Sequence, residues 1–576
     1  MIILFGAVLA GLLTMLTMAL LIREDRIRED LKVWRSAGVI FAVGWVLFGF
    51  VLLPVPLVGP LMGLELFLLP IAGVGTCLGL ANSAGRRKLL PEVPIFGGTA
   101  VLIVGSMIAS SPLVGPARYA QLIGEVEEVP DGELFVPTDV KHIRAVSPEQ
   151  AAWAGNKVLG ERDGSLGSQF APGNYSIQLV ENELVWVSPM DFLSFSRWQS
   201  SDGAPGYVKV SAEDPLKRPE LVTDHKGKPL RFRYTPQAYF GFNLTRHVWQ
   251  SGYSTYRMAD YHLELDDSHR PFWVVSLTRP TIAYFGHQVC KVLLVDPETG
   301  AIQPFEVDET PAWVDRVIPE DIAVANITSF GFYSQGWWSA FWSGFGLKVP
   351  TTVNVDTDSE AETAWLIYGK DGRAHWFTGM TSTSTTDQAL VSVMTMDSRT
   401  GKAREYRMSG PNETAVLSAA TSAVSNFAGY HATQPILYKL SGELAWVVPI
   451  LSEQHIFQKL AIVRANNAQV ALADGKAGAV SALKNLIARN GTDKTSPSEM
   501  AQVTKGTITV RRIGDDFISG NLIRHIVADE FPGKVFTIQS SLSPRVPLIR
   551  EGDTLLIQVI ISDDEAIPVT AVEVVQ

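Results

Sequence analysis

The stretch LVENELVWVSPM, residues 179–190, decides how this chain is read, because it recurs in altered form as LDDSHRPFWVVSL (265–277), YGKDGRAHWFTGM (368–380) and KLSGELAWVVPIL (439–451). Each copy sets a polar turn ahead of a tryptophan (Trp186, Trp273, Trp376, Trp446) that opens an apolar, partly β-branched run. That is the pattern of a β-hairpin. Another strand-like run follows each hairpin, at 206–215, 290–300, 391–401 and 459–469, and ends in Asp or Asn turn chemistry. In the middle two copies the turn is D-x-x-T-G (Asp296, Thr299, Gly300 and Asp397, Thr400, Gly401). There the carboxylate accepts from backbone amides just ahead of it, and the glycine takes a positive φ.

Helical stretches precede the first and last copies. At 146–160 Ser147 is a candidate N-cap, Pro148 the first helical residue and Gln150 the reciprocal cap; at 412–430 a helix starts at Asn412 and stops at Gly429. Helix, hairpin and a further strand make a small α+β unit whose sheet buries one face on its helix. That unit resembles the PepSY domain. From about 117 to 490 the chain is similar to an uncharacterised family of membrane-anchored bacterial proteins built from such modules, through the phrases SPEQAAWAGNKVLG, SQF (168–170), YTPQAYFGFNLTRHVW (234–249), PAWVDRVIP (311–319) and GYHATQP (429–435). The resemblance implies fold and location but no activity, cofactor or catalytic residue. The first copy (SAEDP) and the fourth depart from the D-x-x-T-G turn.

The chain has 576 residues, 46% hydrophobic and 19% charged, with a net charge of −11. This excludes a disordered protein and argues against a nucleic-acid partner. Cys77 and Cys290 lie too far apart in sequence to suggest a disulfide framework. Four uncharged or nearly uncharged runs, 1–22, about 37–53, 61–82 and 94–112, read as transmembrane helices. A signal peptide is rejected for want of a basic start and an A-x-A site. Basic residues at 23–35 and at 86–88 place those loops in the cytoplasm, and residues from about 117 onward outside, on an inner-membrane protein with the lipid bilayer as a partner. Glu65 is the one carboxylate inside these runs, a candidate intramembrane polar site.

After a helical stretch at 475–491 and a Ser/Thr-rich linker, five strand-like runs from about 505 predict a small OB- or SH3-like β-barrel, whose acidic residues would repel phosphate. The expected architecture is therefore α+β: a four-helix transmembrane domain (1–116), four modules (117–220, 221–320, 321–410, 411–491) and a barrel (492–576).

Candidate chemistry is sparse. The histidines never show a zinc spacing, and no phosphate or dinucleotide fingerprint appears, so no metal, cofactor or catalytic residue is assigned. His262, Glu264 and Asp266 share a strand face, read as the solvated side of a hairpin. The densest aromatic segment, 331–347, carries Trp337, Trp338, Phe341, Trp342 and Phe345. It reads first as packing between modules, then as an interfacial segment on a lipid surface, then as a protein-docking patch. Asp315 and Arg316, with Arg246 and His247, are charged residues in landmark phrases; the reading is that Asp315 caps the helix near Pro319 and the arginines pair at module junctions. The expected function is a non-enzymatic, polytopic scaffold at the cell envelope, which binds protein partners or self-associates. The alternatives are a pore or transport-linked subunit and a regulator of an envelope peptidase.

Overall fold

A computed structural model describes residues 101–575, leaving out 102–103, 106, 130–141, 163–165, 284, 354–361, 370, 385–386, 441–442, 476–477, 479–481, 484–502, 519–520 and 561–565. Each tryptophan of the repeated phrase sits in the long central strand of its own sheet, paired antiparallel with its neighbours: Glu183–Phe192, Pro271–Ile282, Ala374–Ser382 and Glu443–Leu451. These strands are apolar on both sides because both faces are covered. In the second sheet Trp273 and Val275 join the main core, while Phe272 and Val274 pack under Val314 and Val317 on the other face. The D-x-x-T-G turns form as their residues dictate: Asp296 Oδ1 accepts from the amides of Glu298 (2.8 Å) and Thr299 (2.9 Å), and Gly300 has φ +72°.

The modules are not beads on a string. One apolar core runs from helix Pro148–Arg162 through the first three sheets, and a second joins the third sheet to helix Glu413–Ala423 and the fourth. Strand Val126–Val129 leaves the first module altogether and pairs in parallel with Ala403–Pro411 at the edge of the third sheet. The last five strands close into a separate barrel with its own core; the long strand Val503–Ile518 pairs with 554–560 over its first half and 521–528 over its second.

This architecture corrects the expected fold class, function and location. Strands dominate the described residues, and helices are few and short; the 15-residue helix Pro148–Arg162 is about 22 Å long, less than the roughly 30 Å of a hydrocarbon core. Among the described residues no helix is long and apolar enough to cross a membrane. Those findings overturn the α+β class headed by four transmembrane helices, the polytopic envelope scaffold with its pore and peptidase-regulator alternatives, and the inner-membrane location. The runs at 1–22, 37–53 and 61–82, together with Glu65, lie outside the described residues, as does most of 475–499.

The four tryptophans are not equivalent. Three indoles donate to the carbonyl of a segment that leads into a helix: Trp186 to Val146 (3.0 Å), Trp273 to Tyr234 (2.8 Å) and Trp376 to Ile318 (2.7 Å). Trp446 is fully buried, yet its indole N–H has no hydrogen-bond partner among the described residues. A Trp→Phe change strips a bond at the first three positions and relieves an orphaned donor at the fourth. Thermal unfolding should therefore show Trp273→Phe and Trp376→Phe destabilised by about 1–3 kcal/mol, and Trp446→Phe by about 1 kcal/mol less than either.

Candidate functional site

Two places gather the residues singled out in the sequence. The first is the segment 311–319, which runs between the second and third sheets. Strand Arg257–Leu265 lies fully extended beside it, so alternate residues Asp260, His262 and Glu264 share one face. His262 Nδ1 lies 3.0 Å from Asp260 Oδ2, and its Nε2 lies 2.8 Å from Glu264 Oε1. Glu264 accepts from the backbone amides of Asp315 (2.9 Å) and Arg316 (3.1 Å), and Arg316 pairs with Asp260 at 2.9 Å. The group is buried, with Glu264 1% exposed, so it is not the solvated hairpin face that alternation suggested. Asp266 takes no part; it accepts from the Ser268 and Arg270 amides in the turn. Among the described residues no His/Cys/Asp/Glu group is placed to hold a metal ion.

Asp315 does not cap the following helix. Helix Glu320–Tyr333 starts after Pro319 with no side-chain cap, and the Asp315 carboxylate turns the other way, accepting from Tyr368 Oη (2.8 Å) and Leu179 N (3.2 Å). Arg399, inside the third module's D-x-x-T-G turn, donates to the carbonyls of Thr310 (2.7 Å) and Pro311 (2.8 Å). In the other landmark phrase, the Arg246 amide is capped by Asn243, and His247 Nε2 lies 2.7 Å from the Gly300 carbonyl of the second module's turn. These residues hold connecting segments onto sheets.

Asp191 was not among the residues singled out in the sequence. It is next to last in a strand buried along nearly its whole length and grips the next module's leading phrase, accepting from Thr235 Oγ1 (2.5 Å) and the Gln237 amide (3.1 Å). An acid following seven consecutive uncharged strand residues was the available signal. Burial pushes its carboxyl up to about 6 against the hydrogen bonds that favour the charged form. Burial and Arg316 work against the His262 imidazolium, but its bonds to Asp260 and Glu264 outweigh them and raise its pKa. Burial would raise Asp260 too, yet the guanidinium of Arg316 and His262 hold it well below the usual carboxylate range.

The second place is the aromatic segment. After Tyr333 the chain turns through Gly336 (φ +83°), makes short helical turns over Gly336–Ser343 and leaves through left-handed Gly344. Phe341 is half-buried against Tyr333 and Trp337, so packing accounts for it. Trp338, Trp342 and Phe345 are 61%, 74% and 80% exposed, and packing between modules does not account for them. Trp337 Nε1 donates to the Leu113 carbonyl (2.9 Å), which ties the segment to exposed Leu113 and Val114 and to helical residues Val104, Met107 and Ile108, also exposed. No charged residue occurs in 322–347 or 101–117. Searches against family models and curated proteins give no match to this chain.

Both Asp191 and His262 have folded-state pKa values raised above their unfolded ones. The stability each contributes is therefore present below the unfolded value and lost as pH rises, through about 6 for Asp191 and above the ordinary histidine range for His262. Scanning calorimetry should show a lower Tm at about pH 8 than at about pH 5.5, with part of the difference removed in Asp191→Asn. A Tm rising over that interval would contradict these assignments.

Proposed function

We propose that this protein is a non-enzymatic docking module that seats its aromatic patch on a lipid surface. The observation that carries this is the set of exposed, uncharged apolar side chains Trp338, Trp342 and Phe345 and Val104, Met107, Ile108, Leu113 and Val114, on two segments joined by the Trp337–Leu113 bond. Tryptophan carries a large apolar body with one polar N–H and concentrates where hydrocarbon meets water. Serine, glutamine and glycine supply the remaining polarity of the segment, which suits zwitterionic headgroups and offers nothing for selective capture of anionic ones. Such a contact lies on the surface and needs no spanning segment. Buried acids and tryptophan N–H groups engage backbone in the stacked modules, consistent with a rigid platform rather than a reaction centre.

Burying one such ring is worth about 1.5–3 kcal/mol, roughly tenfold or more in affinity. The full chain should bind phosphatidylcholine vesicles, with its tryptophan emission quenched when the acyl chains are brominated. Trp338→Phe/Trp342→Phe should keep binding but lose a measurable share of that quenching, and Trp338→Ser/Trp342→Ser/Phe345→Ser should weaken binding at least tenfold. Equal quenching and affinity in all three proteins contradicts the proposal, as does a lipid-independent dimer that the triple variant abolishes.

A further inference from the structure

Five aromatic rings meet where the first module joins the second, in a cluster that shares no residue with the segment 331–347. Phe195 and Trp198 come from the short helix Phe195–Ser200, and Tyr239, Phe240 and Phe242 from the phrase that leads into the second module. Phe195 stands edge-on to Tyr239 (5.0 Å between ring centres, 78°) and to Phe240 (6.1 Å, 84°). Trp198 lies 5.5 Å from Tyr239, 5.8 Å from Phe240 and 6.2 Å from Phe242. Trp198 and Phe242 pack against the main core, so the fold accounts for them. It does not account for Phe195, Tyr239 and Phe240, which are 41%, 36% and 58% exposed, or for exposed Leu193 two residues before the helix.

The two segments are held in register by one buried carboxylate. Asp191, four residues ahead of Phe195, accepts from Thr235 and Gln237 just ahead of Tyr239. Phe240 takes φ +53°, a left-handed conformation that a bulky side chain rarely adopts, and it does so without burying its ring. The polar groups of the ridge are open. Among the described residues the Trp198 indole N–H and the Tyr239 hydroxyl have no hydrogen-bond partner, and the exposed Arg197 side chain pairs with no carboxylate. Arg233, by contrast, is taken by Asp202 (3.5 Å) and lies 5.8 Å from the Phe242 ring centre.

We propose that this ridge docks an extended, proline-rich segment of a partner protein, with an acidic residue of that segment at Arg197. A polyproline II chain has no internal hydrogen bonds and, at each proline, no N–H, so it presents bare carbonyls and pyrrolidine rings. Rings set nearly perpendicular to one another leave notches that receive such faces, and an indole N–H beside a phenol O–H supplies the donors that the carbonyls lack. Both partners are ordered before they meet, which keeps the entropic cost of docking low. Rings this close touch one another and leave no cage for a quaternary ammonium, which Arg197 would also repel. A lipid surface, in turn, makes no use of directed donors.

Calorimetric titration of the full chain with an acetylated octaproline peptide ending in two glutamates tests this. One saturable site is expected, at least fivefold weaker when the peptide ends in two lysines and absent for a glycine–serine peptide of the same length and ends. Phe240→Gly removes the most exposed ring and suits the positive φ, so it folds, and it should weaken binding at least tenfold. Trp198→Phe keeps a ring but removes the N–H, and should weaken binding about fivefold. Arg197→Glu should reverse the preference between glutamate and lysine ends, a change that misfolding does not produce. Trp338→Ser/Trp342→Ser should bind the peptide as the unaltered chain does. Absence of saturable binding, equal binding of the glycine–serine peptide, unchanged affinity in Phe240→Gly or an unreversed preference in Arg197→Glu overturns the proposal. So does loss of phosphatidylcholine vesicle binding in Phe240→Gly with no binding of the proline peptide, which makes the ridge a lipid contact.

Discussion

The Glu264 carboxylate accepts the amides of Asp315 and Arg316, and the arrangement of the first three modules depends on that grip. A buried anion on a strand is costly unless its lone pairs are filled. Here one side chain binds two consecutive backbone N–H groups and an imidazole, which fixes the path of 311–319 across the second sheet. Once that path is set, Val314 and Val317 fall on Phe272 and Val274 and cover a sheet face that water would otherwise reach. The Asp315 side chain then meets Leu179 of the first module and Tyr368 of the third. Three sheets are joined by one residue of a connecting segment.

The same device is repeated with different atoms. Asp191 holds the phrase that leads into the second module, and Trp186, Trp273 and Trp376 each fasten a leading segment through an indole N–H. Arg144 does the corresponding work between the first and fourth modules. Its guanidinium lies 5.3 Å from the Trp186 ring centre and bonds the Leu366 carbonyl and Gln434, while its backbone amide donates to Tyr438 Oη at 3.0 Å. Because each sheet is closed by the segment leading to a neighbour, no module's core is complete alone. A surface patch carried by such a stack is held in a fixed orientation, the requirement for docking aromatic side chains on a flat surface.

The hairpins, the central tryptophans and the D-x-x-T-G turns were legible because each is a local event: a period of two, a turn residue with one backbone preference, a glycine at positive φ. What could not be read was set by distant partners. Residues 126–129 carry a strand pattern, but nothing in VEEV says that it pairs with 403–406. Alternation put His262, Glu264 and Asp266 on one face; His262 and Glu264 do share it, with Asp260, while Asp266 lies in the turn, and reading that face as solvated failed because the covering segment comes about fifty residues later. Asp315, in a proline-bracketed phrase ahead of a helix, looks like a cap; its geometry is decided instead by Tyr368 and Leu179.

Hydrogen–deuterium exchange of the full chain, followed in peptides covering 311–319, 257–265 and 365–368, tests most directly whether that segment staples the modules into one cooperative body. The account predicts that the Asp315 and Arg316 amides exchange together with the two flanking strands, in a single opening event, and that Glu264→Gln accelerates all three. Exchange of 311–319 many-fold faster than both strands, unaffected by Glu264→Gln, would show a loose linker and contradict it.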